Sequence, residues 1–334
     1  MGGIRTETGV LIPNPQPRGN NGNQQVIWDV VGIMSKLLRA LLLVGLVALL
    51  AGCSGAGSST GNPVASGSSQ DPGSTGSPEP ATGAIEHATG ATDVILRLDQ
   101  GAGMLRGGGV TLVPPFTLYG DGTVVFRNPM LEQPPAVGPV VVGNPMRAAK
   151  LDEDQIQDLL DYALTEGGLG VAKLQYDNPM LADAGTAIFT IRAGGLDKTV
   201  NVYALGLDDP NTPDRPARAA FSKLAERLTN FDQNGTFATD VYVPSRYRGF
   251  LSETGDISGE APVAWPWADV KPSDFEGDEA SGDLPTRVMT AEELAVLGID
   301  GIEGGFDGMT LIDPDDPAKS YSFGVRPLLP DEQA

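Results

Sequence analysis

One histidine and one cysteine occur in 334 residues, and that scarcity removes whole classes of chemistry. His87 lies in a stretch of Gly, Ser, Thr, Ala and Pro, so a Ser-His or Cys-His nucleophile system has no base in the part of the chain able to fold. The lone thiol, Cys53, excludes an internal disulfide and a zinc-thiolate cluster built by one chain. Cations are short too, at 22 Lys and Arg against 43 Asp and Glu, for a net charge of −21. Arg5, Arg18, Lys36 and Arg39 precede Cys53 but only Glu7 and Asp29 do among the acids, so the chain from Cys53 onward is more negative still. Phosphate backbones and anionic headgroups repel such a body, which sets nucleic acid aside as a partner.

What the chain does have is concentrated in Ser35–Cys53, SKLLRALLLVGLVALLAGC. Lys36 and Arg39 form a basic start, an apolar run extends from Ala40 to Ala51, and Leu50-Ala51-Gly52-Cys53 closes it. These are the three parts of a secretory signal. The apolar run falls short of the roughly 20 residues that a spanning helix needs, so cleavage is expected rather than retention. The closing tetrad resembles the lipobox of bacterial lipoproteins. That resemblance implies a diacylglyceryl group on the Cys53 thiol, cleavage before Cys53, and acylation, palmitate included, of the new amino terminus. It also implies a location on the outer face of a bacterial cell membrane, or the outer membrane if the host is Gram-negative. Two acyl chains, each buried CH2 contributing about 0.8 kcal/mol, make such an anchor effectively permanent.

Residues 1–33 are rich in Gly, Asn and Pro and read as a leader from a mis-called start, with Met34 as the expected first residue; 34–52 is the signal. Residues 53–92 carry the anchor and a Gly/Ser/Pro tether that holds too little apolar surface to offset the cost of ordering. As a flexible coil, such a tether reaches on the order of 30 to 40 Å. His87 is expected to be a solvated residue of it.

Residues 93–230 read as an α+β domain. Asp93–Asp99 (DVILRLD) has strand composition, and Phe116–Tyr119, Gly120-Asp121-Gly122 and Thr123–Phe126 spell a hairpin. Asp152 with Gln155 predicts a capped helix ending at Gly167, its buried face made by Ile156, Leu159, Leu160, Ala163 and Leu164. A second hairpin, Thr186–Arg192 and Lys198–Leu205, turns at Gly-Gly and leads to a helix from Ala217 to Leu228. The expectation is an antiparallel sheet of hairpins with helices on one face. The order of these elements, with the Leu-Tyr-Gly-Asp-Gly-Thr-Val hairpin and the Asp183-Ala-Gly-Thr lead, resembles a group of uncharacterised bacterial lipoprotein domains, and that resemblance brings no activity.

Phe231–Thr239 reads as a linker, and 240–330 as a smaller α+β unit. There Val241–Val243 suggests a strand and Thr290-Ala-Glu-Glu293 a capping box; Gly308–Ile312 and Tyr321–Arg326 are expected to pair around Asp313-Pro-Asp-Asp-Pro317.

Four features invite chemistry beyond the anchor. Trp265 and Trp267 flank Pro266, an arrangement that could offer a flat ligand face or cover the join between the units. The acidic runs at Asp208-Asp209, Asp274–Asp283 and Asp313–Asp316 lack EF-hand spacing and read as solvated turns rather than Ca2+ sites. Asn-Pro-Met recurs at Asn128, Asn144 and Asn178; it reads as three turns rather than a thioether cluster for Cu(I). Abundant carboxylates leave a carboxylate-only hydrolase of envelope carbohydrate as an alternative to a non-catalytic protein that binds an envelope protein or glycan. A third reading is a module that adds strands of exported chains to a sheet edge. No metal and no cofactor is expected.

Overall fold

The computed structural model describes residues 83–101, 108–130, 140–254, 262–277 and 284–333, all within one unit that spans Thr75–Ala334. The leader, the signal, Gly52, Cys53 and most of the tether lie outside the described residues, as does the acidic stretch 278–283.

The chain begins with β1 (Val94–Gly101), the DVILRLD strand. The hairpin of β2 (Phe116–Tyr119) and β3 (Thr123–Arg127) pairs beside it, with Phe116 opposite Phe126. Its turn fixes the residue at Gly122, where φ is +85° and an added Cβ would meet Leu151 O at 2.4 Å. Asp121 completes the turn by accepting the Thr123 N–H at 2.9 Å. After β4 (Val141–Val142) and β5 (Met146–Lys150) comes helix α1 (Glu153–Leu164). Asp152 accepts the Gln155 N–H, the Gln155 side chain accepts the Asp152 N–H, and Ile156, Leu159, Leu160 and Ala163 are buried. The second hairpin joins β7 (Thr186–Ala193) to β8 (Leu196–Tyr203) through Gly194 and Gly195, both at positive φ. Helix α2 (Arg215–Thr229) buries Phe221, Leu224 and Leu228.

With β6 (Gln175–Tyr176) and β9 (Thr239–Val241), these strands form an eight-stranded sheet in the order β6-β8-β7-β1-β2-β3-β5-β9. Residues of both helices pack on one of its faces, in a core with Leu98, Phe116, Phe126, Phe189 and Ile191. The α+β class with helices on one face is therefore what the chain adopts. All pairs are antiparallel except β6 with β8.

A second sheet has the order β11-β13-β14-β10-β12, built from β10 (Arg246–Thr254), β11 (Val263–Ala264), β12 (Thr286–Thr290), β13 (Phe306–Ile312) and β14 (Ser320–Pro327). Its core gathers Tyr247, Leu251, Trp267, Met289, Phe306, Leu311 and Phe323. Thr290 and Glu293 form the expected capping box at α3 (Ala291–Ala295), and β13 pairs with β14 around the Asp-Pro loop as expected.

Three expectations need correction. The presumed linker begins with Phe231, which is buried between Phe116 and Phe126 at ring separations of 5.2 and 5.0 Å and stacks on Phe237 at 5.1 Å. The strand expected at Val241–Val243 is β9, and it extends the first sheet beside β5 rather than opening the smaller unit. The expected tether gives way by Gly83: Gly194 donates to Glu86 O, and the Ile85 N–H donates to the Gln157 side chain. The sequence order also interleaves, since β4 pairs with β13 of the second sheet. A third cluster, Val94, Tyr119, Val125, Met146 and Leu329, joins first-sheet strands to a residue just past β14.

Candidate ligand-binding cleft

At the Asp-Pro loop, Asp313 Oδ1 accepts the N–H groups of Asp315 (2.8 Å) and Asp316 (3.0 Å), while Oδ2 accepts the Tyr321 hydroxyl (2.9 Å). Burial pushes this carboxyl up, but the Asp315, Tyr321 and Asp316 donors outweigh it and hold Asp313 below the ordinary carboxylate range. Opposite lies a single 3-10 turn, Pro272–Asp274, where Asp274 accepts the Lys271 N–H at 2.8 Å. Lys271 reaches across to Asp315 at 3.4 Å. Between these walls is an open cleft of about 490 Å³, which Phe275, Glu253, Lys319 and Tyr321 also line.

The two tryptophans stand behind this cleft rather than in it. Trp265 packs edge-on to Phe275 and to Tyr321, both at 6.4 Å, and donates its N–H to Val270 O at 2.6 Å. Trp267 is buried, donates to Glu293 O at 2.7 Å and meets Phe323 edge-on at 5.3 Å. The two indoles are themselves perpendicular, 5.4 Å apart, so the flat aromatic face does not form. Each indole N–H found a backbone carbonyl.

The remaining candidates disperse. Asn128 and Asn178 accept the N–H groups of Met130 and Met180, leaving both methionines exposed, whereas Met146 is buried in β5. Asp208 pairs with the fully buried Arg218. Among the described residues no three His, Asp or Glu side chains converge as a metal would need. His87 is not solvated: its side chain is 5% exposed and contacts Glu153.

Sequence reasoning missed a second polar cluster, formed where the chain runs past β14. Arg326 donates to both Glu332 oxygens (2.6 and 2.9 Å) and to Val110 O (2.7 Å). Arg97 and the Tyr119 hydroxyl both donate to Asp331 Oδ1 at 2.6 Å. Burial raises the Glu332 carboxyl, but the Arg326 guanidinium outweighs it and sets the group below its usual range. Burial, then the Asp331 carboxylate, pushes the Tyr119 hydroxyl up. Only the pairing of apolar Leu328-Leu329 with acidic Asp331-Glu332 hinted at it.

Compared with protein-family models, with curated proteins and with solved structures, the chain matches none.

Proposed function

We propose that this is a bacterial lipoprotein, anchored through acylated Cys53 on the outer face of the membrane, whose acidic α+β body binds an envelope protein or glycan without catalysing a reaction. The observation that carries the reading is the succession of Lys36 and Arg39, the Ala40–Ala51 run and Leu50-Ala51-Gly52-Cys53. No helix among the described residues is long and apolar enough to cross a membrane. The cleft between Lys271 and Asp313 is the candidate binding surface, since it combines two cations, carboxylates and the Tyr321 ring.

A carboxylate-only hydrolase needs a carboxyl held protonated near neutral pH. Asp121, Glu153, Glu293, Asp313 and Glu332 all lie below the ordinary carboxylate range, opposite to what such an acid requires. Strand addition gains little support from the edges. β6, β9 and β11 have two or three residues each. On β12, Thr286 exchanges backbone hydrogen bonds with Glu276 and the Thr290 N–H goes to Glu293, so alternation leaves only Val288 facing outward between them.

Detergent phase partitioning tests the anchor. The mature chain is expected in the detergent phase and a Cys53→Ala variant in the aqueous phase, with the mass of the mature amino terminus showing the acyl groups. A parent chain in the aqueous phase overturns the reading.

A further inference from the structure

The residues from Gly83 to Asp93 are tied down at several points. The Ile85 N–H donates to Gln157 Oε1 at 2.7 Å, and the Gln157 amide donates back to Ile85 O at 2.9 Å. His87 bridges to Ala193 of β7, and Gly120 lies so close beneath Ala88 that an added Cβ would sit 2.3 Å from its carbonyl oxygen. The His87 ring is enclosed by this arrangement. Its Nδ1 faces Ala88 O at 2.7 Å, and its Nε2 faces Glu153 Oε1 at 3.2 Å. A carbonyl and an ionised carboxylate only accept, whereas a neutral imidazole carries a single N–H and the imidazolium carries two. Only the protonated ring can satisfy both contacts.

We infer that His87 is a proton-operated latch: as imidazolium it fastens Gly83–Gly90 to helix α1, and as neutral imidazole it gives up one of its two contacts and loosens the segment. The charged groups on the surrounding elements leave Glu153 as its ionic partner. On α1, Glu153 also accepts from Gln157 at 2.8 Å. At the β2–β3 turn Asp121 is paired with Lys150, and on the β7–β8 hairpin Arg192 is paired with Asp197. On the segment itself Glu86 is exposed, and Asp93 accepts the Gly90 N–H. The Gln157 amide and, against slight burial, the His87 ring hold the Glu153 carboxyl below its usual range, so it stays ionised where histidine titrates. Protonation favours the docked state, so docking weakens as the ring loses its proton. In a tethered protein, loosening would lengthen the spacer and let the body stand farther from its anchor, although the latch itself requires no lipid.

Because His87 is the only histidine, the full chain in detergent micelles gives one pair of ring 15N resonances. Titrated from about pH 5 to about pH 8.5, the ring nitrogens should leave their imidazolium positions in step with the loosening of the segment. Glu153→Gln, whose amide can donate to the neutral ring as well as accept from the charged one, should weaken that coupling. Hydrogen exchange of the 83–92 peptide, corrected for intrinsic rates, should show opening that grows about two- to fivefold between about pH 5.5 and about pH 8, the range supported by an ion pair with one partner exposed. In His87→Gln that growth should vanish. Ring nitrogens that change protonation while the segment stays docked, or pH-dependent opening that survives in His87→Gln, overturn the latch.

Discussion

Asp313 and Glu332 are both carboxylates that accept several hydrogen bonds, and both lie below the ordinary carboxylate range, yet they belong to different kinds of structure. Asp313 takes its donors from Asp315, Asp316 and Tyr321, none more than eight residues away, on an exposed loop. Glu332 faces Arg326, whose side chain is 5% exposed and which also holds the Val110 carbonyl, 216 residues distant. Alongside it, Asp331 ties Arg97 and Tyr119 of the first sheet to the residues after β14 of the second. Hydrogen bonds of similar length thus do unequal work. In water-accessible surroundings, a lost partner is replaced by solvent; beside a buried guanidinium it is not. The Asp313 loop can exchange its contacts for solvent at little cost, whereas the cluster around Arg326 fastens the two sheets together.

Glu332→Ala is the sharpest way to break this contrast. It leaves the buried Arg326 guanidinium without its bidentate partner, and breaking a buried pair from one side costs about 3 kcal/mol. Urea unfolding should show the loss as a lower midpoint at unchanged slope. A smaller effect comes from pH. The folded Glu332 carboxyl lies below its unfolded value, so the unfolded chain binds more protons as pH falls. Its contribution is complete above the ordinary glutamate value of about 4.3 and is lost as pH falls through the folded value. Glu332→Gln should therefore flatten the fall in stability between about pH 5 and about pH 3, measured by urea midpoints across that range.

The same distinction explains how far the sequence could be read. The Asp121-Gly122 turn, the Asp152/Gln155 and Thr290/Glu293 caps and the Gly194-Gly195 hairpin each depend on residues within a few positions, and each formed where its residues predicted. Phe231 gave no such sign, because its partners Phe116 and Phe126 lie more than a hundred residues earlier and no local period marks it. His87 sits among Gly, Thr and Ala that look like spacer, and only the distant Ala193 and Glu153 give it a place. Trp265 and Trp267 could be read from sequence either as a ligand face or as a cover for the join, and only the carbonyls of Val270 and Glu293 and the Phe323 ring decide that they pack inward. Arg326 and Glu332 are six residues apart, but nothing in that spacing announces that Val110, Arg97 and Tyr119 converge on the same corner.

The smallest effect is expected on the cleft's own ion pair. Lys271 and Asp315 stand 3.4 Å apart with side chains 58% and 76% exposed. At that exposure, screening and the freedom of the lysine chain cancel most of the attraction, and Asp315→Ala should shift stability by less than about 0.5 kcal/mol. The substitution does not touch the Asp313 carboxylate, because Asp315 donates to it through its backbone N–H, which alanine keeps. Urea midpoints for parent and variant should therefore coincide. A loss above about 1 kcal/mol, outside the range of exposed pairs, would mean that the loop braces the second sheet as the Arg326 cluster does, and the cleft would lose its standing as the adaptable part of the molecule.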